Sequence, residues 1–266
     1  ATGKYVVFVD PDDWILPDYC LGLYNLQAAY SGRGLVIQGM LCRRTDGTSL
    51  PSLSLPDRYL PFSSIGKSFA ENNICEMGYA VSKIYARSII EEFSIRFDEN
   101  IHCLEDLLFM YQYLLHCDYL VLNHMQNYVY VKHSFSLSHR IHSFESEYCC
   151  FVKYQQLLAE MMKVWKIPAG DMVVTVNSML VPFRRALKSD YQPDRTIPRE
   201  MRVKHLKRMI SESRDVFLKY YHPVFKTDKL GKVLLGFNCY ILYDFYIRLL
   251  FRLNIGPVFY GPKHMY

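Results

Sequence analysis

Five apolar or aromatic residues in a row, Tyr5 to Val9, run straight into Asp10-Pro11-Asp12-Asp13-Trp14. A run of that length, without polar alternation, predicts a strand buried in the parallel part of an α/β sheet. Open α/β sheets take their ligands beyond the carboxyl ends of their strands, and three carboxylates stand in that position here. Asp10 and Asp12 flank one residue, so both reach toward a single hard cation, which prefers oxygen ligands. The same letters also make an ordinary polar turn, because Asp and Pro are frequent turn formers. This segment alone does not choose between the two.

A second acidic element follows about ninety residues later. Cys103-Leu104-Glu105-Asp106-Leu107-Leu108-Phe109 opens a predicted helix running to about His116. Glu105 and Asp106 sit in its first turn, where the helix dipole favours negative charge, so capping by itself accounts for them.

Taken together and in order, these segments resemble bacterial family 2 glycosyltransferases of the GT-A fold. The likeness starts at Gly3-Lys4-Tyr5, Val9 to Trp14 and Leu16-Pro17-Asp18-Tyr19. It continues through Val81-Ser82-Lys83-Ile84-Tyr85-Ala86-Arg87-Ser88-Ile89-Ile90 and Ile95 to Ile101. It closes with Glu105 to Phe109, Tyr128-Val129-Tyr130-Val131 and Ser134 to Ser138. Roughly residues 1 to 140 are covered, about half the chain.

The resemblance implies sugar transfer from a nucleotide-sugar donor, expected to be UDP-linked, to a glycan or lipid-linked acceptor in surface polysaccharide assembly. Asp10-Pro11-Asp12 would be the DxD motif. Asp12, with Asp10 or Asp13, would hold Mn²⁺ or Mg²⁺ against the diphosphate. Asp106 would be the general base of an inverting displacement, with Glu105 shaping the site beside it. Lys83 would lie in the acceptor region, although a solvated surface lysine reads the same way. His133 and His139 are candidates to complete the metal site. Ser82 stands where many relatives carry Asn, and Leu104 where many carry Gly, which puts acceptor identity in question rather than reaction class.

The resemblance also implies a nucleotide-binding half ahead of residue 1, so the chain is expected to be a partial GT-A domain. A parallel strand such as Tyr5–Val9 needs strand neighbours on both sides, or it leaves backbone groups unpaired. A competing expectation is a non-catalytic relative that keeps its helical region as a membrane-surface or partner-binding module.

Half of the 266 residues are hydrophobic, enough for a sizeable core. The eight cysteines include no CxxC pair, which suits a reducing, cytoplasmic setting. The expected order is a helix over 17–30, then a strand over 35–43 turned at Thr45-Asp46-Gly47 into a hairpin. A Pro- and Ser-rich loop over the site follows at 48–64. Next come a strand over 78–86, a short helix over 87–93, and strands over 119–122 and 128–131, the last at a sheet edge.

From about residue 141 the pattern turns helical, with helices expected near 143–165, 170–189, 197–220 and 230–252. Residues 183–232 hold 14 Lys or Arg against 6 Asp or Glu, on a chain of net charge +5. That concentration suits either a solvated helical surface or an anionic membrane surface. No nucleic-acid motif accompanies it, so no nucleic-acid partner is expected. Leu234, Phe237, Ile241, Phe245 and Leu249 recur at helical spacing. Lys232 and Asp244 bound too short a run to span a bilayer, so this stripe either packs or lies on a membrane, with Tyr243, Tyr246, Phe259 and Tyr260 suiting both.

Overall fold

A computed structural model describes residues 1–71, 74, 77–133, 141–167, 172–192, 194–221, 223, 226–253 and 255. It divides into two compact units. The first comprises Ala1–Glu99, Leu104–Leu137 and Gln156–Asp171; the second comprises Asn100–Cys103, Ser138–Gln155 and Met172–Tyr266.

The first unit carries nine strands among its described residues: β1 (Tyr5–Val6), β2 (Trp14–Ile15), β3 (Gly34–Gln38), β4 (Met40–Arg44), β5 (Ser49–Leu53), β6 (Arg58–Pro61), β7 (Lys83–Ala86), β8 (Tyr119–Asn123) and β9 (Tyr128–Lys132). Its helices include α1 (Tyr19–Ala28), α2 (Phe62–Glu71), α3 (Arg87–Glu92) and α4 (Glu105–Leu114). The strands form two mixed sheets, ordered β1-β7-β3-β8-β6 and β2-β9-β4-β5. Among the described residues, parallel pairing is confined to β3 with β8 and β4 with β9. Both faces of the larger sheet's centre are covered, so β3 and β8 are buried at every position. That is why they read as continuous apolar runs. Tyr19 and Leu23 of α1 pack with Val36, Met40, Ile84, Val121 and Tyr128 in one core cluster.

Four sequence expectations change here. Tyr5–Val9 is a two-residue, half-buried edge strand, antiparallel to β7, rather than a five-residue buried parallel strand. Among the described residues its ladder has a partner on one side only, and pairing ends after Val6. The run expected as one strand over 35–43 is two strands in different sheets. Gly39 lies at the switch, where a Cβ would meet the Leu53 carbonyl oxygen at 2.5 Å, so only glycine lets β5 come so close. The 48–64 segment is β5, β6 and the start of α2 instead of a loop. Pro51 and Pro61 misled that expectation. Both lie on sheet-edge strands, where a missing N–H is tolerated. Finally, β9 is interior to its sheet, between β2 and β4.

The second unit is helical: α5 (Phe144–Trp165) in part, then α6 (Met172–Ser189), α7 (Arg199–Glu212), α8 (Arg214–Tyr220), α9 (Lys226–Gly236) and α10 (Tyr240–Arg252). A chain of rings runs through its core, from Phe144 to Tyr148, Phe151, Phe183, Phe217 and Tyr221, with centroids 5.1–6.2 Å apart. The two helices expected over 197–220 and 230–252 are each broken in two. The second break falls at Asn238, φ +59°, a left-handed conformation that Asn adopts more readily than most residues. Arg214 fastens that turn, donating to Asn238 Oδ1 and the Gly236 carbonyl, both at 2.9 Å. Among the described residues, no helix is long and apolar enough to cross a membrane.

Candidate active site

The acidic turn after β1 is built by its own backbone and by β9. Asp13 N–H donates to the Asp10 carbonyl at 3.1 Å, with Pro11 supplying the preset φ that favours the second position of such a turn. The Tyr128 hydroxyl then fixes the turn from both sides. It accepts the Asp10 N–H at 3.1 Å and donates to Asp13 Oδ2 at 2.6 Å. Asp13 Oδ1 accepts the Val131 N–H at 2.7 Å. Both oxygens of Asp13 are therefore engaged by β9, whereas Asp10 and Asp12 are exposed residues of the same turn.

Asp12 Oδ2 lies 3.2 Å from His133 Nε2. Desolvation pushes the Asp10 carboxyl up to about 6, and the charges of Asp13, Asp106 and Asp12 add to it. Carboxylates from two distant segments thus act on Asp10, where like charges disfavour ionisation.

Asp106 reaches this neighbourhood from the first turn of α4. Leu104 precedes that helix at φ +68°, and the 77–80 segment comes in against it. At Gly78 a Cβ would meet Leu107 Cδ1 at 2.3 Å, so a larger residue would push that segment outward. Held this close, the Ala80 N–H donates to Asp106 Oδ2 at 3.3 Å. Burial and then the Glu105 charge push the Asp106 carboxyl up; the Ala80 bond and Lys83 oppose them. Glu105 Oε2 is buried without a hydrogen-bond partner among the described residues.

Lys83 is fully buried, not the surface lysine its sequence equally allowed. Its Nζ donates to the carbonyls of Tyr79 and Val81 and sits 3.4 Å from the Tyr79 ring centroid. Burial holds its pKa well below the ordinary lysine value, while Asp106 draws it back up. Burying an ammonium is costly unless an opposite charge acts on it, and among the described residues that charge is Asp106.

Ser82 and Leu104, the two positions at which the sequence departs from the resemblance, occupy related geometry. Ser82 (φ +56°) and Leu104 (φ +68°) are both left-handed, the conformation that Asn and Gly adopt most cheaply. Ser82 Oγ is held by the carbonyls of Gln38 (3.1 Å) and Gly39 (2.9 Å).

Asp10, Asp12, Asp13, Glu105, Asp106, Lys83 and His133 therefore gather in the first unit. His139 and Ser134–Ser138 lie outside the described residues. Tyr128 was missed by sequence reasoning, which took it for edge-strand pattern. The available signal was a phenol on a buried strand, whose hydroxyl must find a partner.

Among the described residues, no group of three His, Cys, Asp or Glu side chains converges into a ready-made metal cage. The donor set suits a hard cation completed by oxygens of a bound ligand, because Mg²⁺ is commonly held by one or two carboxylates plus substrate phosphates.

No family model matches this chain. A stretch of 99 residues is 30% identical to the Bacillus subtilis (strain 168) protein named "Putative glycosyltransferase EpsH". That stretch is 36% of this chain and 28% of EpsH, so the chain spans under a third of the curated relative it matches. Among solved structures, S. aureus TarS 1–349 in complex with UDP-GlcNAc superposes with a TM-score of 0.57 at 16% identity, over 96% of this chain and 69% of that one. The complex of the same protein with UDP gives 0.59 at 16% identity, over 96% and 68%. The mixed α/β fold with a helical C-terminal part, expected from the sequence, is the fold this chain shares with TarS.

Proposed function

We propose that this chain carries the catalytic side of a family 2 type glycosyltransferase. It would move a sugar from a nucleotide donor to a hydroxyl of a glycan or lipid-linked acceptor with inversion at the sugar carbon. The observation that carries this reading is Asp106: a carboxylate raised by burial, aimed from a helix start into a cluster that already holds Asp10 and Asp12.

A general base working near neutral pH needs a pKa above that of a free carboxylate, and Asp106 has one for stated physical reasons. In the displacement, Asp106 takes the acceptor hydroxyl's proton as the acceptor oxygen bonds to the sugar carbon. The bond from that carbon to the diphosphate breaks, and the nucleoside diphosphate departs. The charge of Lys83 favours the carboxylate form of Asp106. Glu105, with one buried oxygen lacking a partner, is placed to receive an acceptor hydroxyl. Asp12 and Asp10 would hold Mn²⁺ or Mg²⁺, with Asp13 fixing the turn. Such a cation, when bound, neutralises charge on the departing diphosphate. The TarS complexes with UDP and UDP-GlcNAc favour a UDP-linked donor.

The test is transfer from UDP-sugars by the full-length protein and by Asp106→Asn. A positioned base is worth about 10²–10⁴-fold, or about 3–5 kcal/mol of barrier. The expected result is a loss of that size with donor affinity kept. Transfer retained within about tenfold would remove Asp106 as the base. Asp12→Ala should lose the part of donor affinity that depends on Mn²⁺. A wild-type protein that neither transfers nor binds any nucleotide sugar would leave the non-catalytic binding module as the better reading.

A further inference from the structure

In the second unit, α10 turns its only acid inward. Asp244 is buried and held by Arg202 of α7. What α10 leaves outside has one chemistry. Ile241, Leu242, Phe245 and Leu249 on the helix, and Leu253 just past it, are all exposed, Phe245 to 65%. Arg248 and Arg252 are exposed among them. These seven positions fall on one helical face, since 3.6 residues make a turn, and no carboxylate interrupts it.

Where α10 begins, a cavity of about 610 Å³ opens. Ile241, Leu242 and Phe245 give it an apolar wall, and Arg199 and Lys207 of α7 line it as well. Among the described residues, neither cation has a salt bridge.

We propose that this α7–α10 face docks on an anionic membrane surface. On this proposal α10 lies in the interfacial plane. Ile241, Phe245 and Leu249 enter the boundary of the acyl chains, Arg248 and Arg252 meet headgroup phosphates, and the Arg199–Lys207 cavity receives one lipid headgroup.

Three points favour this occupant. A thirteen-residue helix is about 20 Å long, too short to span a bilayer but suited to lying on one. Apolar side chains flanked by exposed arginines are the composition of an interfacial helix. A second copy is the poorer fit, because a two-fold contact would set this all-cationic face against itself. An anionic leaflet supplies the opposite charge. The proposal stands on the second unit alone and does not depend on the acidic site.

The experiment is co-sedimentation of the full chain with vesicles of phosphatidylcholine alone, or with one-third phosphatidylglycerol. Binding is expected at least about tenfold tighter to the anionic vesicles and should weaken as salt rises. Ile241→Asn with Phe245→Asn should reduce it about tenfold or more. Arg199→Gln with Lys207→Gln should reduce it several-fold and flatten the salt dependence. Arg58→Gln with Lys67→Gln, exposed cations of the first unit, should leave binding unchanged. All these positions are exposed, and thermal melting confirms that each variant is folded. Equal binding to both vesicles would overturn the proposal, as would an equal loss from the Arg58/Lys67 control. A dimer seen by light scattering, abolished by Phe245→Asn and without preference for anionic vesicles, would replace the membrane with a second copy.

Discussion

The two units handle buried charge in opposite ways. In the second, the buried acids Asp244 and Glu147 are each paired with an arginine. Asp244 accepts Arg202 Nε at 2.6 Å and Nη2 at 2.9 Å, plus the Tyr191 hydroxyl at 3.1 Å. Burial opposes its ionisation, yet these bonds hold its pKa below the ordinary carboxylate value. Glu147 accepts both arms of Arg185 at 2.8 Å and the His142 N–H at 2.7 Å. In the first unit, Asp10 and Asp106 are pushed upward by burial and by their acidic neighbours. Satisfied pairs build a scaffold. A cluster of like charges costs stability and persists where a ligand or a reaction makes use of it.

The contrast breaks most visibly at Arg202. Arg202→Ala should cost about 3–5 kcal/mol by urea unfolding, because Asp244 would remain buried without its cation. The double variant Arg202→Met/Asp244→Asn should recover most of that loss. A single variant costing under about 1 kcal/mol would mean the pair is not structural.

Tyr128→Phe comes next, at about 1–3 kcal/mol, because one lost hydroxyl leaves Asp13 Oδ2 and the Asp10 N–H unmatched. Thermal melting reads the stability change, and sugar transfer should fall with it. An unchanged melt would show that the acidic turn is held by other bonds.

For Asp10 the sign runs against the usual carboxylate. Its folded carboxyl titrates at about 6, above the ordinary 3.8, so the folded state keeps the proton longer than the unfolded chain does. Its contribution is fully present below pH 4 and is lost as pH rises to about 6. Asp10→Asn should therefore melt higher than the parent above pH 6 and gain nothing below pH 4. A gain independent of pH would separate Asp10 from the charge cluster.

The smallest effect is at Leu104. A left-handed leucine costs about 1–2 kcal/mol, so Leu104→Gly should stay within about 1 kcal/mol of the parent despite losing a half-buried side chain. Leu108→Gly, in the same helix but buried, should cost about 3 kcal/mol or more. Equal losses would mean the backbone at Leu104 carries no strain.

Elements whose pattern is local were legible in the sequence. α1, α3, α4, β8 and β9 lie within a few residues of expectation. What failed depended on partners distant in the chain. Gly39 divides one apolar run between two sheets, and nothing in Leu35–Arg43 announces the close approach of β5 that requires it. Pro51 and Pro61 read as loop because their sites on sheet edges are set by topology. The acids were visible as letters, but their convergence depends on α4 and β9 meeting the turn after β1. Lys83 shows the same limit, since its burial comes from packing around β7 and its letter alone suggests solvent.

Tyr128 also makes position 128 a one-letter diagnostic. Its single oxygen both receives from the backbone of the acidic turn and gives to the last acid of that turn. A chain that kept every aspartate but had Phe there would carry the motif without the clasp that shapes it. Counting acids would rank such a chain as intact, whereas checking for the phenol would separate a formed site from a spelled one.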